Sequence, residues 1–208
     1  DVHLNRTYVY YLANARHGGT PAVTLDERAI GRMAAEHLIQ RGYQHLAFFG
    51  YPGMPWAKQR GEGFHAAAAA QGLTVQTYNA LPSAMQKYRS PWLQSRPKAL
   101  HRALASLPTP CGIFAAHDVG ACYVIQAARE LGLRIPEQLG VIGVDDDPIA
   151  NAAAGLAISS VQVPFHEVGW RAAALLDACL RGQRPSDPAP LLPVRVIVRT
   201  STHAFMVA

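Results

Sequence analysis

Short apolar runs alternate along the chain with segments in which apolar residues recur at helical spacing. The clearest run, residues 45–50, is continuous and ends at glycine, which is typical of a strand buried on both faces. Similar runs cover residues 73–78, 112–116, 140–144 and 194–198. Strands that alternate with helices predict an α/β fold, in which parallel sheets carry helices on both faces.

The most regular helical pattern covers residues 26–41 and repeats apolar positions on one face. Thr24 and Glu27 have the spacing of a capping box at its start. Gly42 suits the left-handed position that ends many helices. The pattern therefore predicts an amphipathic helix that packs on the sheet through one stripe.

Two further helices are predicted in the second half of the chain. One covers residues 118–131, and Asp118 is placed to cap its start. The other covers residues 164–180 and begins with a proline, which the first turn of a helix accepts. Its buried stripe is expected to contain Val168, Ala172, Leu175, Leu176 and Cys179.

The loops that follow the strands are the places to look for a ligand site. In doubly wound sheets, ligands bind beyond the carboxyl ends of the strands. The candidate loops cover residues 51–56, 117–118, 145–148 and 162–164. Residues 83–97, which include Trp92, are expected to cross the surface irregularly, and residues 182–193 form a proline-rich loop.

Composition narrows the class of protein. With 208 residues, half of them hydrophobic, the chain can bury a sizeable core. The net charge of +5 permits a polyanionic partner, but no run of basic residues is long enough to form an arm that grips phosphates. The uncharged stretch at residues 149–165 is too polar to span a membrane. No secretory leader is recognised, and Cys111, Cys122 and Cys179 are expected to be reduced, mostly buried thiols of a cytoplasmic protein.

Common patterns of metal-binding and catalytic sites are missing from the sequence. Cys111, His117 and Cys122 do not have the spacing of a zinc site. Adjacent acids at 145–147 point in different directions, so they are not expected to hold a cation together. The glycines after residue 49 lack a following G-K-[ST], and the serines at 159–160 lack a G-x-S-x-G context. We therefore expect no metal, no cofactor and no enzyme activity.

Four stretches in order resemble the effector-binding domain of the lactose/galactose-repressor family, which shares its fold with periplasmic sugar-binding proteins. They are residues 23–50, 111–146, 158–176 and 192–202, and the resemblance covers 21–202. The most specific features are H-D at 117–118 where the family usually has N-D, then G-x-x-x-P, V-I-G-x-D and a final R-x-S-T. W-A-K-Q-R at 56–60, with Phe64, Trp92 and P-V-R-V-I at 193–197, is similar to the xylose-operon activators within this group.

The resemblance implies two doubly wound parallel-sheet subdomains of the periplasmic-binding-protein-like I type, with the ligand in the cleft between them. Residues 1–43 with 159–191 are expected to form one subdomain, and residues 44–158 with 192–202 the other. The family places further strands and helices before the first subdomain's start, so that subdomain is expected to be incomplete. Residues 203–208 are expected to begin a link to a helix-turn-helix domain.

The resemblance also assigns the ligand site. Arg60 would fork onto sugar hydroxyls, Trp56 would stack on the sugar ring, and the two carboxylates would accept hydroxyls. His117 replaces the family's amide, which leaves the identity of the sugar open. Each residue also has a structural alternative: a solvated arginine, a lid over the core, a helix cap or a polar residue at a hinge. The complete set of expected contacts is Trp56, Arg60, His117, Asp118, Asp145 and Gln162.

The expected function is a sensor that closes around a monosaccharide effector, with xylose or a similar pentose as the first candidate. The effector would act on operator DNA only through a domain outside this chain. A cytoplasmic homodimer without a membrane partner is expected. The competing class is a periplasmic sugar-binding protein of a transport system, and a sugar- or nucleotide-modifying enzyme is a third.

Overall fold

The apolar runs pair side by side in one six-stranded sheet. The computed structural model describes residues 21–51, 53–79, 98–183 and 185–202. The strand order is β2-β1-β3-β4-β5-β6, with β6 antiparallel to β5 and all other pairs parallel. The strands are β1 His45–Phe49, β2 Val75–Tyr78, β3 Cys111–Ala115, β4 Leu139–Val144, β5 Ser159–Gln162 and β6 Arg195–Ile197.

Helices cover both faces of this sheet. They are α1 Glu27–Gln40, α2 Pro55–Ala70, α3 Lys98–Ala105, α4 Asp118–Glu130, α5 Pro148–Ala154 and α6 Phe165–Leu180, with a short 3₁₀ turn at Thr200–Thr202. One apolar layer lies between the sheet and α3, α4 and α5, around Ile113 and Ile125. The other lies between the sheet and α1 and α2, around Phe48, Phe64 and Phe114. The observed fold is therefore the α/β arrangement that the pattern predicts.

Strand β5 is absent from the predicted elements because it does not look apolar. Two of its four residues are serines, and both are fully buried. Ser159 and Ser160 can lie in the core because their hydroxyl groups make hydrogen bonds there. A buried strand whose polar groups have partners far along the chain leaves no hydrophobic pattern.

Two predicted helix caps are wrong. Asp26, not Thr24, caps α1, and its carboxylate accepts a hydrogen bond from the backbone N–H of Ala29. His117, not Asp118, caps α4, and its Nδ1 accepts from the backbone N–H of Val119. In both cases the chain enters the helix at a different residue, which moves the accepting side chain to a different position.

Helix α6 is less buried than its apolar stripe predicts. Val168 is its buried residue, and it packs with Val23 and Leu191 in a small separate cluster. Cys179 is exposed, whereas Cys111 and Cys122 are buried as expected. A parallel bridge between Leu25 and Leu191 lies beside this cluster.

The expected subdomain boundaries do not follow the observed packing. Helix α1, which was assigned to 1–43, packs on the six-stranded sheet through Ile30 and Leu38. Strand β5 pairs with β4, so it also belongs to this sheet. Both elements therefore join the unit that was expected to start at residue 44. The division into two subdomains stays a prediction, and the expectations for residues 83–97 and 203–208 fall outside the described residues.

Candidate functional site

The strand order reverses between β1 and β3. The chain passes from β1 outward to β2 and then returns to β3 on the other side of β1. In open α/β sheets, this reversal leaves a crevice beyond the carboxyl ends of the two strands, and ligands bind there. Tyr51 and Trp56 follow β1, and His117 follows β3. We call this group of loops the switch-point crevice.

Three rings lie together in the switch-point crevice. The ring centroids of Tyr51 and Trp56 are 5.5 Å apart, and His117 lies 6.2 Å from Trp56 and 6.4 Å from Tyr51. Burial raises the pKa of Tyr51, so its hydroxyl stays protonated. The cluster offers a rigid, partly apolar wall of the kind that packs against the C–H face of a sugar ring.

Arg60 forms the floor beside this wall. Its Nε donates to Glu27 Oε2 at 2.6 Å, and its Nη1 donates to the carbonyl oxygen of Ala116 at 2.6 Å. The guanidinium carbon lies 4.9 Å from the Trp56 ring centroid, which is a cation–π distance. Only 6% of the side chain is exposed. The guanidinium is therefore fixed in one orientation before a ligand arrives.

The crossing of α1 and α2 brings Glu27 to Arg60. A Cβ on Gly31 would overlap the carbonyl oxygen of Arg60, and a Cβ on Gly63 would overlap the carbonyl oxygen of Arg28. The two helices therefore touch backbone to backbone at these glycines. Glu27, in the first turn of α1, then lies beside the guanidinium on α2.

His117 and Asp145 form the opposite side of the crevice. Nε2 of His117 lies 2.9 Å from Asp145 Oδ2. Nδ1 of His117 accepts the N–H of Val119, so the ring proton is on Nε2 and points to the carboxylate. Both ring nitrogens thus have protein partners, and the histidine orients Asp145.

The loop after β4 has an unusual backbone. Asp145 has φ 102° and Asp146 has φ 61°, and no other non-glycine residue in the described ranges has a positive φ. Such conformations cost on the order of 1 kcal/mol or more and persist where the surroundings impose them. The N–H of Asp145 donates to the carbonyl oxygen of Val161 at 3.0 Å, and the N–H of Asp146 donates to Ser160 Oγ at 3.0 Å. These bonds hold the loop so that Asp145 faces His117.

Asp118 lies beneath this loop rather than in the crevice. Its side chain is fully buried, and Oδ2 accepts the N–H of Asp147 at 2.8 Å. Ser160 Oγ donates to Oδ1 at 2.8 Å. Burial raises the pKa of Asp118 to about 7, although these hydrogen bonds oppose the shift. The Asp118 carboxylate braces the loop and has no exposed surface in this structure, so the expectation that it accepts sugar hydroxyls stays a prediction that this geometry does not favour.

Gln162 lies to one side of the crevice. Its Nε2 is 3.5 Å from Asp146 Oδ2, and its Oε1 accepts from Arg195 Nε at 3.3 Å. Asp146 in turn pairs with Arg199, whose Nη2 lies 2.5 Å from Asp146 Oδ1. The structure thus brings Trp56, Arg60, His117 and Asp145 together and leaves Gln162 in a neighbouring polar group.

Two residues of the crevice were not foreseen as ligand-site residues. Tyr51 lies in the loop that follows β1, and this position is the feature of the sequence that could have identified it as a site residue. Glu27 was read only as part of a helix cap. Its partner lies 33 positions further along the chain, so nothing local in the sequence indicates the pair.

Described residues contain no group of three His, Cys, Asp or Glu side chains arranged for a metal ion. Within the same ranges, every helix is too short or too polar to cross a bilayer. The groups present are hydrogen-bonding and aromatic ones that suit an organic ligand.

Fold and crevice together define a ligand-binding domain on a doubly wound sheet. A profile of the periplasmic-binding-protein-like domain matches residues 35–202. The chain therefore belongs to the periplasmic-binding-protein-like domain family, which confirms the resemblance seen in the sequence.

Curated relatives of this chain carry the names of transcription regulators, not of enzymes. The xylose operon regulatory protein of Haemophilus influenzae is 30% identical over 186 residues, which cover 88% of this chain and 47% of the relative. The protein of the same name from Escherichia coli is 31% identical over 184 residues, which cover 86% and 46%. The chain thus spans about half the length of the curated relatives it matches.

The solved structures that superpose on this chain also include transcription regulators. A xylose-binding transcription activator superposes with a TM-score of 0.77 at 29% identity, over 90% of this chain and 49% of that protein. A LacI-family transcriptional regulatory protein from Corynebacterium glutamicum gives 0.72 at 28% identity, over 89% and 68%. The six-stranded sheet therefore has the fold that is seen in these regulators.

Proposed function

We propose that this chain is the effector-binding domain of a bacterial transcription regulator and that it binds a monosaccharide in the switch-point crevice. The observation that carries the proposal is the set of Trp56, Arg60, His117 and Asp145, placed where the strand order reverses. An aromatic face beside fixed donors and acceptors is the combination that a polyhydroxylated ring requires.

Each side chain has a distinct role in this proposal. Trp56 packs against the sugar ring, Arg60 donates to hydroxyls and Asp145 accepts from them. His117 keeps the Asp145 carboxylate in place through the 2.9 Å contact. Gln162 contributes from the side of Asp146, and Asp118 positions the loop without touching the sugar.

Xylose is the first candidate ligand. Two curated relatives are named for the xylose operon, and one structural neighbour is a xylose-binding activator. The sequence W-A-K-Q-R, which contains both Trp56 and Arg60, supports the same choice. We extend the proposal to a cytoplasmic homodimer that contacts operator DNA through a separate domain.

The proposed mechanism is a shift between an open and a closed cleft. A ligand favours the closed state only by the difference between its affinities for the two states. Arg60 and Asp145 are held in place by protein contacts, so they bind the sugar in both states, and the contacts that a second wall adds on closing supply that difference. The regulator is preferred to a transport receptor because the relatives at 30% and 31% identity are named as regulators.

A thermal-shift screen against monosaccharides, followed by calorimetry, tests this function. A ligand at a hundred times its dissociation constant stabilises a fold by about 2.7 kcal/mol. We expect xylose or a close epimer to raise the melting temperature, and Arg60→Ala and Asp145→Ala each to abolish the rise. Arg32→Ala is the control, because it removes an exposed arginine from α1 and should leave the rise intact.

The proposal is wrong if no monosaccharide stabilises either this chain or the longest gene product that contains it. It is also wrong if a sugar binds equally well to Arg60→Ala and Asp145→Ala, since the crevice would then not be the site.

A further inference from the structure

Glu27 is a buried acid at the edge of the switch-point crevice. Its side chain is 4% exposed, and its Oε2 accepts from Arg60 Nε at 2.6 Å. A carboxylate this deeply buried requires a charged or hydrogen-bonding partner, and the removal of either member leaves an uncompensated charge. Capping does not account for its position, because Asp26 caps α1.

Glu27 changes what Arg60 can offer to a ligand. The hydrogen bonds described for Arg60 use Nε and Nη1, and no buried side-chain nitrogen or oxygen in the described ranges lacks a partner. Nη2 is therefore the nitrogen that reaches solvent. The carboxylate of Glu27 also compensates the positive charge of the guanidinium from within the protein.

Among the described residues, the charged groups around the crevice besides Arg60 and Glu27 include two acids and a second arginine that is paired with one of them. Asp145 is paired with His117, whose ring is neutral while its Nδ1 accepts the N–H of Val119. The second cation nearby, Arg199, is paired with Asp146. In the described part of the chain, Arg60 and Arg199 thus each have an acid partner, whereas Arg195 donates to the amide oxygen of Gln162 at the side of the crevice.

We propose that Glu27 is a specificity-determining residue: by holding Arg60 and cancelling its charge, it makes the crevice select uncharged polyhydroxyl ligands and reject carboxylated ones. The inference rests on the proposed function, because it concerns the same site. Selectivity of this kind needs a penalty against the wrong ligand as well as contacts to the right one. Glu27 supplies the penalty, because a carboxylated ligand would lose its hydration without gaining an uncompensated cation, and Nη2 of Arg60 supplies a donor to hydroxyls.

Acid and amide forms of the same sugar isolate the effect of charge. D-glucuronate and D-glucuronamide share ring and shape, and so do D-galacturonate and D-galacturonamide; D-xylonate and D-xylonamide form an open-chain pair. Calorimetry on the full chain measures each dissociation constant beside those of xylose, glucose and galactose. We expect every acid to bind at least about tenfold more weakly than its amide, a difference of about 1.4 kcal/mol.

Glu27→Gln is the informative variant, because it keeps an oxygen that can accept from Arg60 Nε and removes the charge. We expect its affinity for the acids, measured relative to its affinity for their amides, to rise about tenfold or more over the wild type. Glu36→Gln is the matched control: it makes the same substitution on the exposed side of α1 and should alter neither affinity. The melting temperatures of both variants test whether they are folded.

The possible results separate this inference from the function on which it rests. If no neutral sugar, acid or amide binds, the proposed function fails and Glu27 selects nothing. If a wild-type acid binds as tightly as its amide, only the role of Glu27 is refuted, and this comparison does not need a folded variant. A folded Glu27→Gln protein that loses neutral sugars and acids alike would make Glu27 a structural support, which also overturns the inference.

Discussion

The carboxylate of Asp118 shows how a buried acid can shape a loop at the end of a strand. It accepts from Ser160 and from the N–H of Asp147, while Ser160 accepts from the N–H of Asp146. These bonds fix the positive-φ backbone at Asp145 and Asp146. Gly143 lies against this carboxylate, and a Cβ there would overlap it. The aspartate of the H-D pair therefore has a positional role, and the histidine caps α4.

Replacement of Asp118 by asparagine should change how stability depends on pH. The folded pKa of Asp118 is raised from 3.8 to about 7, so the folded state binds its proton more tightly than the unfolded state. Its contribution to the free energy of unfolding is then largest at acidic pH and is lost as pH rises through about 7. We expect the wild type to lose about 2 kcal/mol relative to Asp118→Asn between pH 5 and pH 8. Urea denaturation at both pH values measures this, and parallel pH profiles for the two proteins would contradict it.

The crossing of helices α1 and α2 is the part of the fold on which the Arg60 geometry depends most. Gly31 and Gly63 allow the two backbones to touch, and that contact places Glu27 beside Arg60. Gly63→Ala should destabilise the fold by about 1–3 kcal/mol, because the added methyl group forces the helices apart. Sugar binding should weaken as well, since Arg60 loses its fixed position.

Gly169→Ala is the matched control for this substitution. Gly169 is an exposed helical residue on α6, and a Cβ there would meet no atom within 4 Å. The same change should stabilise the fold by about 0.5–1 kcal/mol, because alanine favours a helix over glycine. Chemical denaturation of both variants decides the matter: if Gly63→Ala is as stable as Gly169→Ala, the close crossing does not exist.

Across the molecule, what the sequence could predict depends on how far apart in the chain the interacting residues lie. Strands β1, β3 and β4 were recognised because continuous apolar runs identify buried strands locally. Trp56, His117 and Asp145 are expected at the site because of the family resemblance, and each lies in a loop or helix start that follows a strand. The Glu27–Arg60 pair and strand β5 were not predicted, because their polar groups bond to partners 33 to 43 positions away in the sequence.

The final R-x-S-T segment links the last residues of the described chain to the sheet. Ser201 Oγ donates to the carbonyl oxygen of Val141 at 2.6 Å, and Thr202 Oγ1 lies 2.6 Å from Ser159 Oγ. His37 on α1 completes the network, with its Nε2 2.8 Å from Thr202 Oγ1. The motif therefore joins β4, β5 and α1, which explains why serine and threonine are required at buried positions.

Two buried titrating groups should oppose each other in the stability of the whole molecule. Burial, with help from Arg41, lowers the pKa of His37 from 6.5 to about 4, so its contribution is present above pH 6.5 and is lost as pH falls towards 4. Asp118 has the opposite sign, because its contribution is present at acidic pH and is lost as pH rises through about 7. Between pH 5 and pH 8 the two contributions should cancel to within about 1 kcal/mol.

Variants can separate these two contributions. His37→Gln removes the titration and keeps a side chain that can bond to Thr202, so its stability should fall relative to the wild type as pH rises from 5 to 8. The stability of Asp118→Asn should instead rise relative to the wild type over the same pH range. The two groups share no partner, so their effects should add and the double variant should follow the wild-type profile. Urea denaturation of all four proteins across this range measures the profiles. If the free energies of unfolding of both single variants change in the same direction relative to the wild type as pH rises, one of the two residues is not buried in the state described here.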